Sequence, residues 1–243
     1  MLHKKVTDWQ AEAVQEQSDA ATILRNALHD PQLGRLAMVS SFGAESVVLL
    51  HMAAQIDRHL PVIFLDTEML FAETLEYQRR VAFHLGLTDL RVITPNRNDV
   101  LREDVDGLLH QANPNACCDL RKARPLAQAL DGFDGWITGR KRYQNGERAT
   151  LPFYEKDGAK IKINPLANWG TDDLRTYIEK HDLPRHPLVA QGYPSIGCRP
   201  CTTRVGAGED PRAGRWRGSE KTECGIHFEN GKIVRPLAER TSI

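Results

Sequence analysis

No stretch of this chain is apolar over the roughly 20 residues that a membrane-crossing helix needs. The first residues, Met-Leu-His-Lys-Lys-Val-Thr-Asp-Trp, lack the apolar core of a secretory signal. Neither an internal repeat nor a low-complexity tract occurs. Charge of one sign is missing too: Lys plus Arg number 32 and Asp plus Glu number 32. No global field therefore selects nucleic acid or an anionic membrane, and neither is expected as a partner. Cysteine is scarce, with five in 243 residues, an odd count that reads poorly as a disulfide framework. The expected compartment is the reducing cytoplasm, where paired cysteines more often bind metal or do redox chemistry than form bridges.

What is present is ordinary in bulk. Hydrophobic residues make up 41% of the chain, enough to bury a full core. An amphipathic helix is predicted over 7–29, with Trp9, Ala13, Ile23, Leu24 and Leu28 on its apolar face. Strand-like runs then alternate with helical stretches. Strands are predicted at 36–39, 61–65, 90–93 and 135–138, and helices around 47–53, 71–85 and 119–130. Two short strands near 150–153 and 160–163 precede a helix from about Thr171. This alternation predicts an α/β fold with a mostly parallel sheet flanked by helices, whose ligands sit beyond the carboxyl ends of the strands. Residues 186–222, rich in Gly, Pro and Arg, read as a mobile segment that carries function. The expected units are a helical region at 1–34, a nucleotide-binding domain at 35–202 and a flexible catalytic segment at 203–243.

The cysteines divide into an adjacent pair, Cys117 and Cys118, a C-R-P-C unit, Cys198 and Cys201, and a single Cys224. A disulfide between neighbours in sequence is strained, so the vicinal pair needs another role. Four thiolates suit a structural zinc or an iron–sulfur cluster, and the spacing does not separate the two. Lys122 follows Cys118 by one helical turn, which brings an ammonium near that negative site. Cys224 lies in Glu-Cys-Gly-Ile-His, with His227 three residues on. The nearby cations Arg215, Arg217 and Lys221 favour its thiolate, and Glu223 opposes it. The arm from 199 to 221 carries six cations against three carboxylates, suited to closing over an anion and delivering a thiol.

Two loops fall at the carboxyl edge of the expected sheet. In Ser40-Ser41-Phe42-Gly43-Ala44-Glu45-Ser46, small residues let backbone N–H groups approach an anion at a helix start. The Lys of a Walker A loop is missing, so γ-phosphate transfer is not implied. From this loop alone an ordinary strand–helix turn with a serine cap is the better reading, and the second edge loop shifts the balance toward an anion. Leu65-Asp66-Thr67 offers a carboxylate and a hydroxyl to a base or ribose, or merely caps the next turn. Gly139-Arg140-Lys141-Arg142 ends a strand with three cations, fit for phosphate or sulfate oxygens.

Together these residues resemble the assimilatory adenylylsulfate reductases of the phosphoadenylylsulfate reductase superfamily, over roughly residues 35–230. The two cysteine pairs joined to Glu-Cys-Gly-Ile-His are the specific part. The resemblance implies an adenine-nucleotide α-hydrolase-like fold and a [4Fe–4S] cluster on Cys117, Cys118, Cys198 and Cys201. It implies an oxidoreductase of sulfate assimilation and cysteine biosynthesis, in which Cys224 attacks the sulfate sulfur of adenylylsulfate. AMP leaves, and thioredoxin or glutaredoxin then releases sulfite. It further implies Lys122 between cluster and sulfate, Arg140 and Arg142 on the phosphosulfate and His227 near the nucleophile. Substrate contacts are expected from Ser40, Ser41, Phe42, Gly43, Ala44, Glu45, Leu65, Asp66, Thr67, Gly139, Arg215 and Arg217, and a homo-oligomer is compatible with it. Ser46, Glu68 and Ala72 depart from the family's common Asp, Gly and Pro. Rival readings are reduction of the 3′-phosphorylated donor, a tRNA-thiolating enzyme of related fold, and an adenosine-binding module with structural zinc.

Overall fold

The computed structural model describes residues 19–144, 146–218 and 221, with the two short strands Phe228–Glu229 and Lys232–Ile233. Six strands form one sheet: β1 Leu36–Val39, β2 Val62–Leu65, β3 Leu90–Ile93, β4 Gly135–Ile137, β5 Tyr154–Asp157 and β6 Lys160–Ile163. Their order is β3-β2-β1-β4-β6-β5. The first five in that row are parallel, and β5 closes one edge antiparallel to β6. A separate small hairpin pairs β7 (Phe228–Glu229) with β8 (Lys232–Ile233). Among the described residues no helix is long and apolar enough to cross a membrane.

The strands are short, and alternate residues feed opposite faces. On β1 and β2, Leu36, Met38, Val62 and Phe64 enter the larger core, which also takes α1 (Ala20–His29), α2 (Ser46–Ile56), α3 (Ala72–Leu85) and α8 (Thr171–Lys180). Ala37 and Ile63 point the other way, toward Leu126, Leu130, Phe133 and Trp136. Two covered faces explain why these runs read as continuous apolar stretches rather than alternating ones. Of the expected 7–29 helix, Ala20–His29 is described, with Ile23 and Leu24 buried and Leu28 partly so. Trp9 and Ala13 lie outside the described residues.

Two elements differ from the sequence expectation. The strand foreseen at 150–153 forms at Tyr154–Asp157 instead, in register with β6. Pro152 cannot donate to a ladder, so pairing starts after it, and Gly158 at φ 62° turns the chain back. The helix foreseen from Asp119 is the second half of a longer one. It begins with α6 (Pro114–Cys118), passes through a π turn at Asp119–Ala123 and resumes as α7 (Arg124–Ala129). Pro125 has no N–H for the Arg121 carbonyl, and the Arg124 N–H reaches back to Asp119 instead. Short helices α4 (Arg97–Glu103) and α5 (Leu109–Ala112) precede it.

Candidate functional site

The chain leaves β1 toward β2 on one side, while β4 lies on the other, so a crevice opens beyond the strand ends at this switch point. A cleft of about 320 Å³ occupies it. Residues 40–45 form its floor. The Phe42 N–H donates to Ser40 Oγ at 3.2 Å, and the Gly43 N–H to Ser46 Oγ at 2.9 Å. Phe42 is fully buried at φ 46° and meets the Phe64 ring edge-on at 5.3 Å, so it anchors the loop rather than facing the cleft. Ser40, Ser41, Gly43, Ala44 and Glu45 do line the cleft, as do Leu65 and Thr67. Asp66 lies outside the lining and accepts from the Glu68 N–H at 2.9 Å, the turn-capping role.

The four thiols lie behind one wall of the cleft, the one lined by Thr67, Lys122 and Gly197, and none of them lines the cleft itself. Asn113 caps α6 by accepting from the Ala116 N–H, which puts Cys117 and Cys118 at the helix end, both buried. Cys198 is buried and Cys201 half-buried, and none of the four is in a disulfide. Cys198 Sγ lies 3.2 Å from Thr67 Oγ1, and the Arg199 N–H donates to Met69 O at 2.8 Å. Burial pushes the Cys117 thiol up to about 12, Cys118 and Cys198 push it further the same way, and Arg121 opposes them. Left to the protein alone, this wall disfavours a thiolate. Among the described residues no three His, Cys, Asp or Glu side chains converge on a single-ion site.

Arg121 and Asp104 are parts of this wall that the sequence did not single out. Arg121 is 5% exposed and donates to Asp104 through Nε at 3.0 Å and Nη2 at 2.9 Å. Its Nη1 donates to Thr67 O at 2.9 Å. One guanidinium thus ties the cysteine-bearing helix to the loop that touches Cys198. The π turn puts Arg121 inside and its neighbour Lys122 on the cleft. Periodicity alone gives no hint of such a turn, and only Pro125 marks it.

The opposite wall carries cations. Arg140 lines the cleft, bonded to Glu155 at 2.5 Å and to Asn164 Oδ1 at 3.1 Å. Lys141, also lining it, is 4% exposed and donates to Glu45 at 2.6 Å; Tyr143 donates to the same carboxylate at 2.8 Å. Burial pushes the Lys141 ammonium below the ordinary lysine range, against the pull of Glu45. Lys162, from β6, bridges Glu155 at 3.0 Å and Asp157 at 2.7 Å beneath the Trp136 ring. Gly139 and Arg215 line the cleft as well. Arg142 does not; it donates to Leu151 O at 2.8 Å and lies over the Phe153 ring. Arg217 also stands outside, paired with Glu209 on the surface.

Residues 186–218 close the cleft over the top. Leu188 and Ile196 pack with Phe71, the Trp216 N–H donates to Cys201 O, and Trp216 is buried. A Cβ at position 197 would strike the Arg215 guanidinium, so glycine there permits the approach. Lys221 reaches Asn115 on α6. Cys224 and His227 lie outside the described residues.

The sequence matches the phosphoadenosine phosphosulfate reductase domain over residues 35–204. The chain belongs to that family. It is 55% identical over 209 residues to the adenosine 5′-phosphosulfate reductase of Mesorhizobium japonicum, covering 86% of this chain and 81% of that one. The protein of the same name from Chelativorans sp. is 50% identical over 195 residues, 80% of each chain. Among solved structures, the phosphoadenylyl-sulfate reductase of Candida auris in its phosphate complex aligns with a TM-score of 0.69 at 27% identity, covering 84% of this chain and 98% of that one. The family's matched span contains the cleft floor, Lys122, Arg140 and all four walled cysteines.

Proposed function

We propose that this enzyme reduces adenylylsulfate to sulfite and AMP in assimilatory sulfate reduction. The observation that carries this reading is the cleft at the strand ends. It is lined by the 40–45 loop, by Lys122 next to the vicinal cysteines and by Arg140 and Arg215. Identities of 55%, 50% and 43% to proteins named adenosine 5′-phosphosulfate reductase, against 40% to one named phosphoadenosine 5′-phosphosulfate reductase, support the unphosphorylated donor.

In this reading the Cys224 thiolate attacks the sulfate sulfur and the bond from sulfur to the bridging phosphate oxygen breaks. AMP departs with that electron pair, and Lys122, Arg140 and Arg215 offset the charge gathering on it. A thiol of reduced thioredoxin, or of glutaredoxin, then attacks Cys224 Sγ and expels sulfite. The carrier's second thiol resolves the mixed disulfide, restoring the Cys224 thiol and leaving the carrier oxidised by two electrons. The expected compartment, a reducing cytoplasm, keeps that carrier reduced.

The thiol wall fits a [4Fe–4S] cluster on Cys117, Cys118, Cys198 and Cys201. Such ligands each hold a separate iron and need not converge on one point, and a cationic core would favour the thiolate that burial first, and then the neighbouring thiols, disfavour at Cys117. Bound there, the group supplies fixed charge beside the sulfate rather than electrons for its reduction.

Trapping tests the reading. After one turnover without reductant, mass spectrometry should find a sulfite adduct on Cys224, and Cys224→Ser should form none while still binding AMP. Product formation beside an unmodified Cys224 peptide overturns the mechanism. Faster sulfite release from the 3′-phosphorylated donor overturns the substrate.

A further inference from the structure

We propose that Glu155 is a positioning residue for the substrate anion, aiming the Arg140 guanidinium into the cleft from the edge of the sheet. The inference rests on the functional reading above and adds to it a residue that never touches the ligand.

The geometry is a clamp on two of the guanidinium's three nitrogens. Nη2 donates to Glu155 Oε1 at 2.5 Å and to Asn164 Oδ1 at 3.1 Å, and Nε donates to Asn164 Oδ1 at 3.3 Å. Asn164 is itself fixed: its Nδ2 donates to Pro152 O at 2.9 Å, and Thr138 Oγ1 donates to its Oδ1 at 2.7 Å. Nη1 of Arg140 bonds none of the described residues, although Arg140 lines the cleft. A side chain held through Nε and Nη2 offers an anion one defined donor, already oriented, with little rotamer freedom left to lose on binding.

Glu155 is also more than Lys162 requires. Lys162 already has a nearly buried partner in Asp157 at 2.7 Å and the Trp136 ring at 4.8 Å. The β5–β6 register sets Glu155 directly opposite Lys162, so Lys162 steadies the carboxylate that in turn steadies Arg140. A buried row of Asp157, Lys162, Glu155 and Arg140 is no better for stability than well-packed apolar side chains. Its alternation of charge does something that apolar packing cannot: it fixes a cation at a cleft while keeping the row neutral before the anion arrives.

A double-mutant cycle on the full-length enzyme tests this, with AMP as the titrated probe and adenylylsulfate turnover as the second readout. Glu155→Ala should raise the AMP dissociation constant and KM about tenfold, with kcat changed less than about threefold. Glu155→Gln keeps the acceptor and should stay within about threefold of the parent. In an Arg140→Ala background, Glu155→Ala should add no further loss, because the group it aims is gone. A merely structural role predicts losses that add. If Glu155→Ala does not fold, Glu155→Met, of similar length and without an acceptor, runs the same cycle. Additive losses, or unchanged AMP binding in Glu155→Ala, overturn the inference alone. A parent that binds no AMP overturns the functional reading and the inference with it.

Discussion

The two walls of the cleft handle buried charge in opposite ways. On the cation wall, each of Arg140, Lys141 and Lys162 has a carboxylate at 3.0 Å or closer, so these three cations are paired from within the chain. On the thiol wall, Arg121 is already paired with Asp104, and Cys117 is pushed away from ionisation by burial and by its neighbouring thiols. One wall is complete as a polypeptide and waits for an anion. The other holds thiols whose ionised form the chain itself disfavours, a balance that a bound cationic group would reverse. This difference explains why mutations on the two walls should fail differently.

The largest effect separates them outright. Cys198→Ser should lose iron, sulfide and turnover together, whereas Arg140→Ala should keep iron and sulfide and lose AMP affinity. Elemental analysis beside a binding isotherm checks both, and loss of iron in Arg140→Ala would erase the distinction between the walls. Next comes the strut of the thiol wall. Asp104→Ala leaves buried Arg121 with only the half-exposed Glu68 carboxylate, 3.3 Å from Nη1, at a cost of about 3 kcal/mol in urea unfolding. A cost under about 1 kcal/mol would mean that Arg121 finds an equal partner elsewhere.

A pH effect sharpens the comparison on the segment that closes the cleft, where His186 meets Thr74 and Tyr77. Burial pushes the His186 imidazole down to about 4, with Arg80 acting the same way and Glu73 against it. Its Nδ1 accepts from the Leu188 N–H at 3.2 Å, so Nε2 carries the proton and donates to Thr74 Oγ1 at 3.0 Å. Since the folded value lies below the ordinary 6.5, the contribution is full above pH 6.5 and is lost as pH falls toward 4. The loss amounts to about 3 kcal/mol across that window. His186→Gln should flatten stability there; an unchanged slope would assign it to other groups.

How far the sequence carried each wall follows from where its information lies. Alternating strands and helices, the loop at 40–46 and the two cysteine pairs are local patterns, and each is legible in the sequence alone. Lys141 and Arg142 show the limit. Both follow β4 in sequence, yet Lys141 turns into the cleft to meet Glu45 while Arg142 turns out to the Leu151 carbonyl. That choice is made by partners 96 and 9 residues away, which no run of three cations can specify. Arg121 and Glu155 were missed for the same reason: a charged residue on a helix or edge strand reads as solvated until its buried partner is known. Asp66 reads both ways in the sequence, and in the fold its Oδ1 caps the turn at Glu68.

The smallest expected effect concerns the arginines of the roof. Arg215 and Arg217 are two residues apart in a basic stretch, and sequence alone treats them alike. Arg215 lines the cleft and lies 4.5 Å from the Trp216 ring centroid. Arg217 is exposed and forms two bonds to Glu209, at 2.8 and 3.1 Å, beyond the lining. An exposed pair of this kind contributes little and is screened by salt. Arg217→Ala should therefore change KM by less than about twofold, while Arg215→Ala removes a cation from the cleft and should raise it about tenfold. The two substitutions remove the same charge from the same strip of sequence, so net charge cannot account for a difference between them. Equal losses would mean that the roof acts as a diffuse field; unequal losses mean that it acts through one fixed guanidinium.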